Sequence, residues 1–379
     1  MRILLIGEYS RLHNSVKEGL QVLGHEVTLV SDGDAFKQYP SDYYIIPMST
    51  TKGLFNKVRQ VLFRLFKHDI AYWERGLRFY NLLPKLKGYD VVQLINEAPI
   101  KTVPFFEKYL LNKVINQNSR TFLLCCGIDY TVVQYMLDKK PRYSLMDPFF
   151  LNKELLPEYK YIFEYDTPVR KAIHDFLYQK VQGVIASDID YALPLKGNSK
   201  FIGLIPNPVN LEKLEYISPV INDRIVIFLG INRWTYNQKG IAYFEKALEI
   251  IKHKYSEKVE IIVRESLPYD KYIQIYNQAH ILLDQVFGYD QGYNALEAMA
   301  KGKVVFTGAE KEFMEYYQLD KRVAVNALPD VNALVNELSQ LIENPLEIEA
   351  IGKRARAFIE KEHEYISVAG KYLEKWEFQ

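Results

Sequence analysis

One pattern constrains this chain more than any other, an alternation of strand and helix that runs twice. Short apolar runs, several of them ending near Gly or Asp, alternate with amphipathic stretches of helical period. The first series begins at residue 2 and reaches residue 187; the second begins at residue 224 and reaches residue 307. Short runs bounded by turn residues read as strands buried on both faces, and apolar residues every three or four positions read as helices. The first series opens with a strand over Ile3 to Ile6, a helix from about Asn14 to Leu23, a break at Gly24-His25 and a strand over Glu26 to Val30. Further strands are expected at Val91 to Ile95, Thr121 to Cys126 and Val184 to Ser187. Strand, helix, strand in succession implies parallel pairing, because parallel neighbours need a crossover.

In the second series, strands at Arg224 to Leu229, Val259 to Val263, Ile281 to Leu283 and Val304 to Thr307 alternate with helices at Ile241 to His253, Tyr272 to His280 and Tyr293 to Lys301. Between the two lies Phe201 to Asn210, whose two prolines and two asparagines predict an irregular connection. After Asn344 the tail reads as charged and helical throughout. A chain of 379 residues is long enough for two cores. The expectation is an α/β fold of two Rossmann-like, doubly wound domains facing a central cleft, with ligands beyond the carboxyl ends of the strands.

The most informative stretch runs from Asp284 to Val305, a strand, a polar glycine-containing loop and a helix start. Backbone N–H groups at Gly292, Tyr293 and Asn294 point out of that helix end, which carries about half a positive charge and suits a diphosphate or sugar hydroxyls. Glu297 stands about one turn inside, on a face that can turn toward the cleft; its bland reading is a solvated helix carboxylate. Glu8, His13, Asn96 and Asp129 lie where cleft residues of the first domain belong. Each can position an acceptor hydroxyl, and each reads equally well as a capping or turn residue. No His/Cys cluster has metal-ligand spacing, and Asp188-Ile189-Asp190 sits in a weak context for a metal triplet, so no metal is expected.

The phrase Ala295-Leu296-Glu297-Ala298-Met299-Ala300-Lys301-Gly302-Lys303-Val304-Val305 resembles the signature of the large retaining glycosyltransferase family 4, with Lys303 where proline is usual. Ile225 to Gly230, then Arg233, then Lys239-Gly240, is similar to that family's strand, Gly-Arg turn and Lys-Gly helix entry, the Arg coming two positions late. Ile205-Pro206-Asn207-Pro208-Val209-Asn210 resembles its interdomain connection, and His363 with Val368 to Trp376 its closing helix. The resemblance implies the GT-B architecture, with an acceptor-side domain at residues 1–205, a donor-binding domain at 206–355 and a helix at 356–379 returning to the first domain. It implies that Glu297 binds the donor ribose and that Arg233 and Lys239 hold the donor phosphates near Gly230. Transfer is then from a nucleotide diphosphate sugar to a saccharide or lipid-linked acceptor, as in surface polysaccharide assembly. The expected course is retention of configuration, with the departing phosphate helping to deprotonate the acceptor and with no metal or other cofactor. The family's other Glu, eight positions before Glu297, is Tyr289 here; Asp290 is the first candidate to replace it and Asp284 the second. Catalytic candidates are thus Glu8, Asp129 and Asp290, with His13 and Asn96 on the acceptor side. A nucleotide-sugar epimerase, a phosphorylase-like enzyme and a non-catalytic nucleotide-sugar binder remain open, the last because of Tyr289.

A net charge of +1 carries no information about partners, but charge is clustered locally. Thr51 to Gly88 holds nine basic residues against Asp69 and Glu74, and apolar residues between Leu54 and Phe66 recur beside them at helical spacing. Residues 52–67 therefore suit either an anionic membrane surface or an ordinary helix packed on the sheet with a solvated basic face. No nucleic-acid motif accompanies the charge. The opening residues are too short and too soon polar for a signal peptide, and adjacent Cys125 and Cys126 read as small core residues, so a reducing cytoplasm is the expected setting.

Overall fold

The computed structural model describes residues 1–66, 69–218, 220–221, 223–265 and 269–377. Each series of strands closes into its own parallel sheet. The first contains β1 (Arg2–Ile6), β2 (Glu26–Ser31), β3 (Tyr43–Tyr44), β4 (Val91–Leu94), β5 (Arg120–Cys125), β6 (Gly183–Ala186) and β7 (Phe201–Leu204), in the order β3-β2-β1-β4-β5-β6-β7. The second contains β8 (Ile225–Ile231), β9 (Val259–Glu265), β10 (Ile281–Leu283), β11 (Val304–Thr307) and β12 (Val325–Asn326), in the order β12-β11-β10-β8-β9. The order reverses between β1 and β4 in one sheet and between β8 and β10 in the other. Beyond these switch points the flanking crossovers diverge and leave a crevice.

Burial on both faces explains why the strands read as continuous apolar runs. Ile3 and Leu5 of β1 pack into one core with α1 (Leu12–Val22), while Leu4 and Ile6 pack into the core on the other side. That second core is walled by α3 (Ile70–Leu82), α4 (Pro104–Asn116), α5 (Tyr130–Leu137), α6 (Pro168–Lys180) and α7 (Ile189–Leu195); α2 (Gly53–Phe66) precedes them. In the second domain α8 (Tyr236–Lys239) leads into α9 (Ile241–Lys254). Its inner apolar residues join those of β8, α11 (Val331–Glu343) and α12 (Pro345–Phe358), while α10 (Tyr293–Ala300) covers the opposite face.

The last helix, α13 (Tyr365–Glu377), lies along α1 in the first domain, where Gly19 lets the backbones come close. A Cβ at Gly19 would stand 2.4 Å from the Tyr365 carbonyl oxygen. Trp376 is fully buried there and donates from Nε1 to Gln93 Oε1 at 3.0 Å. The chain joins the two units through residues 205–210, where Val209 N–H donates to the His363 carbonyl at 2.7 Å.

Two expectations need correction. Phe201–Leu204 is not irregular but forms β7, the edge strand, paired in parallel with β6. The prolines begin only at residue 206, and Gly203, at φ 124°, absorbs a register shift opposite Val184 and Ile185. The tail is also not one helix: it breaks at Glu364 between α12 with its following turn and α13. Among the described residues no helix is long and apolar enough to cross a membrane.

Candidate active site

The switch points of the two sheets face each other. From the second domain, α10 begins at Gly292, and the Gly292 and Tyr293 N–H groups that open it have no backbone partner within the helix. Glu297, one turn in, is mostly buried; burial raises its carboxyl, and the cations of Lys301, Arg11 and Lys37 oppose that rise. Arg11 and Lys37 belong to the first domain, where they pair with Glu18 and Asp34, so the α10 carboxylate lies within electrostatic reach of the facing domain. Ser10 and Arg11 in the β1–α1 turn both adopt left-handed backbone, at φ 49° and 73°, a conformation that is costly outside glycine and gathers at functional sites. Sequence spacing gave no sign of Arg11 or Lys37, since only the fold brings them to Glu297.

Lys239 ends α8, and its Nζ lies 2.8 Å from Asp284 Oδ1 at the end of β10. The same carboxylate accepts from Asn294 Nδ2 at 3.0 Å and Thr307 Oγ1 at 3.3 Å. Asp284 therefore ties α8, β10, α10 and β11 into one rigid corner and leaves Lys239 about one-third exposed on the cleft wall. The corner needs Gly240: it sits at φ 65°, and a Cβ there would lie 2.3 Å from Val286. Arg233 is placed differently from Lys239. It is exposed and paired at 2.6 Å with Glu265, the last residue of β9, and the cavity described below includes Lys239 but not Arg233 or Gly230.

Asp290 does not stand free where the family's Glu would. Its Oδ2 accepts from the Ile189 N–H at 3.0 Å and its Oδ1 from the Gln291 N–H at 2.7 Å. In return Asp190 accepts from the N–H groups of Tyr289 and Asp290, each at 3.0 Å. These reciprocal bonds stitch the start of α7 to the loop before α10. Burial lifts Asp190 to about 7 and Asp290 to about 6, and pushes Asp188 well above the carboxylate range. Tyr289 faces the first domain as well: its hydroxyl accepts from the Arg142 N–H at 2.7 Å, and the Arg142 guanidinium lies over its ring. Arg142 also pairs with Glu310 and Glu312 at 2.8 and 2.6 Å. A cavity of about 280 Å³ lies between the domains here, with Asp190, Tyr191, Lys239, Gln285 and Gly292 in its walls.

On the first domain, Glu8 follows β1 and is fully buried. Its Oε2 accepts from Asn14 N–H at 2.9 Å and Asn14 Nδ2 at 2.6 Å, while Oε1 is buried with no partner among the described residues. Desolvation lifts this carboxyl to about 7, and Glu8 lies close enough to Tyr293 at the start of α10 to perturb its hydroxyl. His13 is buried, bonded through Nδ1 to the Gly7 carbonyl at 2.8 Å and pushed down to about 3, so it is a neutral brace for the Gly7 turn. Asn96 Oδ1 caps the Ala98 N–H at 3.0 Å. Asp129 caps α5 through the Val132 N–H at 2.8 Å and accepts from Cys125 Sγ; burial lifts it to about 7. Next to it, Glu97 and His174 form a contact of 2.6 Å that sequence reasoning missed, since the two residues lie 77 positions apart. Among the described residues, no group of three or more His, Cys, Asp or Glu is arranged to hold a metal ion.

Two parallel-sheet α/β domains with facing switch points and a C-terminal helix crossing back define the GT-B architecture. Residues 232–374 match the model of a family described as glycosyl transferase-like. A comparison with curated proteins gave no match. Among solved structures the chain is similar to a sucrose-phosphate synthase from Thermosynechococcus elongatus, with a TM-score of 0.62, 14% identity, and 100% of this chain and 98% of that one covered. It is similar over the full length of both chains to the Anabaena protein HepE in complex with UDP-glucose, with a TM-score of 0.57 and 10% identity. The same full coverage holds for a UDP-GlcNAc 2-epimerase from Neisseria meningitidis bound to UDP-GlcNAc, with a TM-score of 0.56 and 15% identity.

Proposed function

We propose that the chain is a glycosyltransferase that moves a sugar from a nucleoside diphosphate to a saccharide or lipid-linked acceptor, with retention of configuration and without a metal. The observation that carries this reading is the junction of the α10 start, Glu297 and the cations Arg11 and Lys37 between the domains. The Tyr289 and Asp290 N–H groups are taken by Asp190 and that of Gln291 by Asp290, so the diphosphate is placed at the Gly292 and Tyr293 N–H groups that open α10. A diphosphate seated there meets the positive end of the helix and the Lys239 ammonium, while Glu297 accepts hydrogen bonds from the ribose hydroxyls. The bond from the sugar C1 to the phosphate oxygen breaks with its electron pair going to the diphosphate, whose growing charge these groups stabilise. The acceptor oxygen bonds to C1 on the same face, and its proton passes to the departing phosphate.

On the acceptor side Glu8 is the group best suited to hold or trade a proton, because its Oε1 has no partner among the described residues and burial lifts its carboxyl to about 7. Asp129 spends its oxygens on the α5 cap and the Cys125 thiol, and Asn96 spends its oxygen on a turn cap. The reading is tested by incubating the chain with a panel of nucleoside diphosphate sugars, with and without simple glycoside acceptors, and following products by NMR. Acceptor-dependent release of nucleoside diphosphate with the anomeric configuration kept is the expected result. Isomerisation of the donor sugar without an acceptor, or binding with no turnover across the panel, contradicts it.

A further inference from the structure

Helix α2 is apolar without being buried. None of its described side chains is buried, yet Phe55, Val58, Val61, Phe63 and Leu65 are all exposed, Phe55 and Leu65 by about two-thirds. A helix of this length in water normally takes its stability from an apolar face packed on the protein, and no described side chain of α2 is buried in that way. At about 100° per residue, Phe55, Val58, Val61 and Leu65 fall within one arc of roughly 120°, and Lys57 and Arg64 stand at its edge. The helix has three cations and no acidic residue. Arg59 is the anchored one, forked onto Asp69 at the N-cap of α3 at 2.6 and 2.7 Å. Lys57 and Arg64 are exposed, with no ion-pair partner among the described residues. Lys67, part of the same basic segment in sequence, lies outside the described residues.

The exposed surface continues beyond α2. On α3, which packs against it, Trp73, Leu77 and Tyr80 are exposed at spacings of four and three. Phe105 and Tyr109 on α4 extend the patch, with the Trp73 and Phe105 rings 5.3 Å apart. Trp and Tyr side chains of this kind settle where lipid tails meet headgroups. We infer that α2 and the aromatic edge of α3 and α4 dock this protein on an anionic lipid bilayer, with the α2 apolar face in the interface and Lys57 and Arg64 on the headgroups. A second copy of the chain is the weaker occupant, because a self-complementary contact would bring these cations against their own equivalents. The inference uses the folded first domain alone and does not depend on the transferase reading.

Flotation of the full chain with vesicles tests it directly, comparing phosphatidylcholine alone with a mixture holding about one-third phosphatidylglycerol, where each basic residue near the surface adds about fivefold to partition. Binding to the anionic vesicles only, weakening as salt is raised, is expected. The double variant Lys57→Ala/Arg64→Ala should partition about 30-fold less, and Phe55→Ser/Leu65→Ser should lose binding, both with unchanged circular dichroism because the positions are exposed. Absent binding, equal binding to both vesicles, or variants that float like the parent overturn the inference. So does a concentration-dependent dimer that the same substitutions dissolve, which would assign the face to a second copy.

Discussion

Asp188, Asp190 and Asp290 bring three carboxyls together where the domains meet, and burial raises all three. A raised carboxyl holds its proton in the folded chain at pH values where the unfolded chain has released it. For Asp190 the window runs from the ordinary 3.8 to about 7. The stability it contributes is full below that window and is lost as pH rises through about 7. Glu8 and Asp129 carry the same sign over a similar window. Thermal unfolding followed from pH 5 to pH 8 should therefore show stability falling with pH, and Asp190→Asn should flatten that slope without abolishing it. A slope identical to the parent's would show that Asp190 is not the buried acid described here. The same substitution weakens the acceptance of the Tyr289 and Asp290 N–H groups, so it should also loosen the loop before α10.

Among the elements, the pairing of α1 with α13 depends on one missing side chain. Gly19→Ala forces the Tyr365 carbonyl and the Ala369 methyl away from α1, and overpacking of this kind costs about 1 to 3 kcal/mol. A lower denaturation midpoint is the expected outcome, and an unchanged midpoint would mean that α13 does not sit tightly in solution. The strands and helices that sequence could resolve are those whose signal is local. β1, β4, β5, β8 and β10 are buried on both faces and so read as apolar runs, and α9 and α10 carry their stripe and their glycine punctuation in order. β7 was hidden because its four residues abut the two prolines and its pairing is set by β6, not by its own pattern. Within the candidate site, Glu297 and Lys239 could be singled out because each lies beside a helix boundary written in consecutive residues. The bond of Asp290 to Ile189, the pair Glu97 and His174, and the influence of Arg11 on Glu297 could not, because they join positions tens to hundreds of residues apart. No local period encodes such contacts.

The whole molecule is two lobes, and beside α13 and the bonds of Asp190 and Asp290 a strap joins them at one edge. The segment containing Arg142 and Tyr143 leaves the first domain to bond Tyr289, Glu310 and Glu312 on the second, with Tyr143 donating its hydroxyl to Glu310. Arg142 is about half exposed, and ion pairs of that kind add only about 0 to 1 kcal/mol to stability. An energy of that size, acting on the spacing of two lobes, shifts a two-state equilibrium by up to about fivefold. Arg142→Ala should leave the melting temperature nearly unchanged while raising the radius of gyration measured by small-angle X-ray scattering. An unaltered scattering curve would mean that the strap does not set the domain spacing.

The central claim is that the start of α10, Glu297 and Lys239 together grip a nucleoside diphosphate between the lobes. Calorimetric titration of nucleoside diphosphate sugars into the parent chain, Glu297→Gln and Lys239→Ala tests it most directly. The account predicts measurable heat for at least one donor and an affinity about 10 to 100 times weaker in each variant, the loss expected when a charge-assisted hydrogen bond is removed. Silence for every donor, or affinities unchanged in both variants, would contradict it.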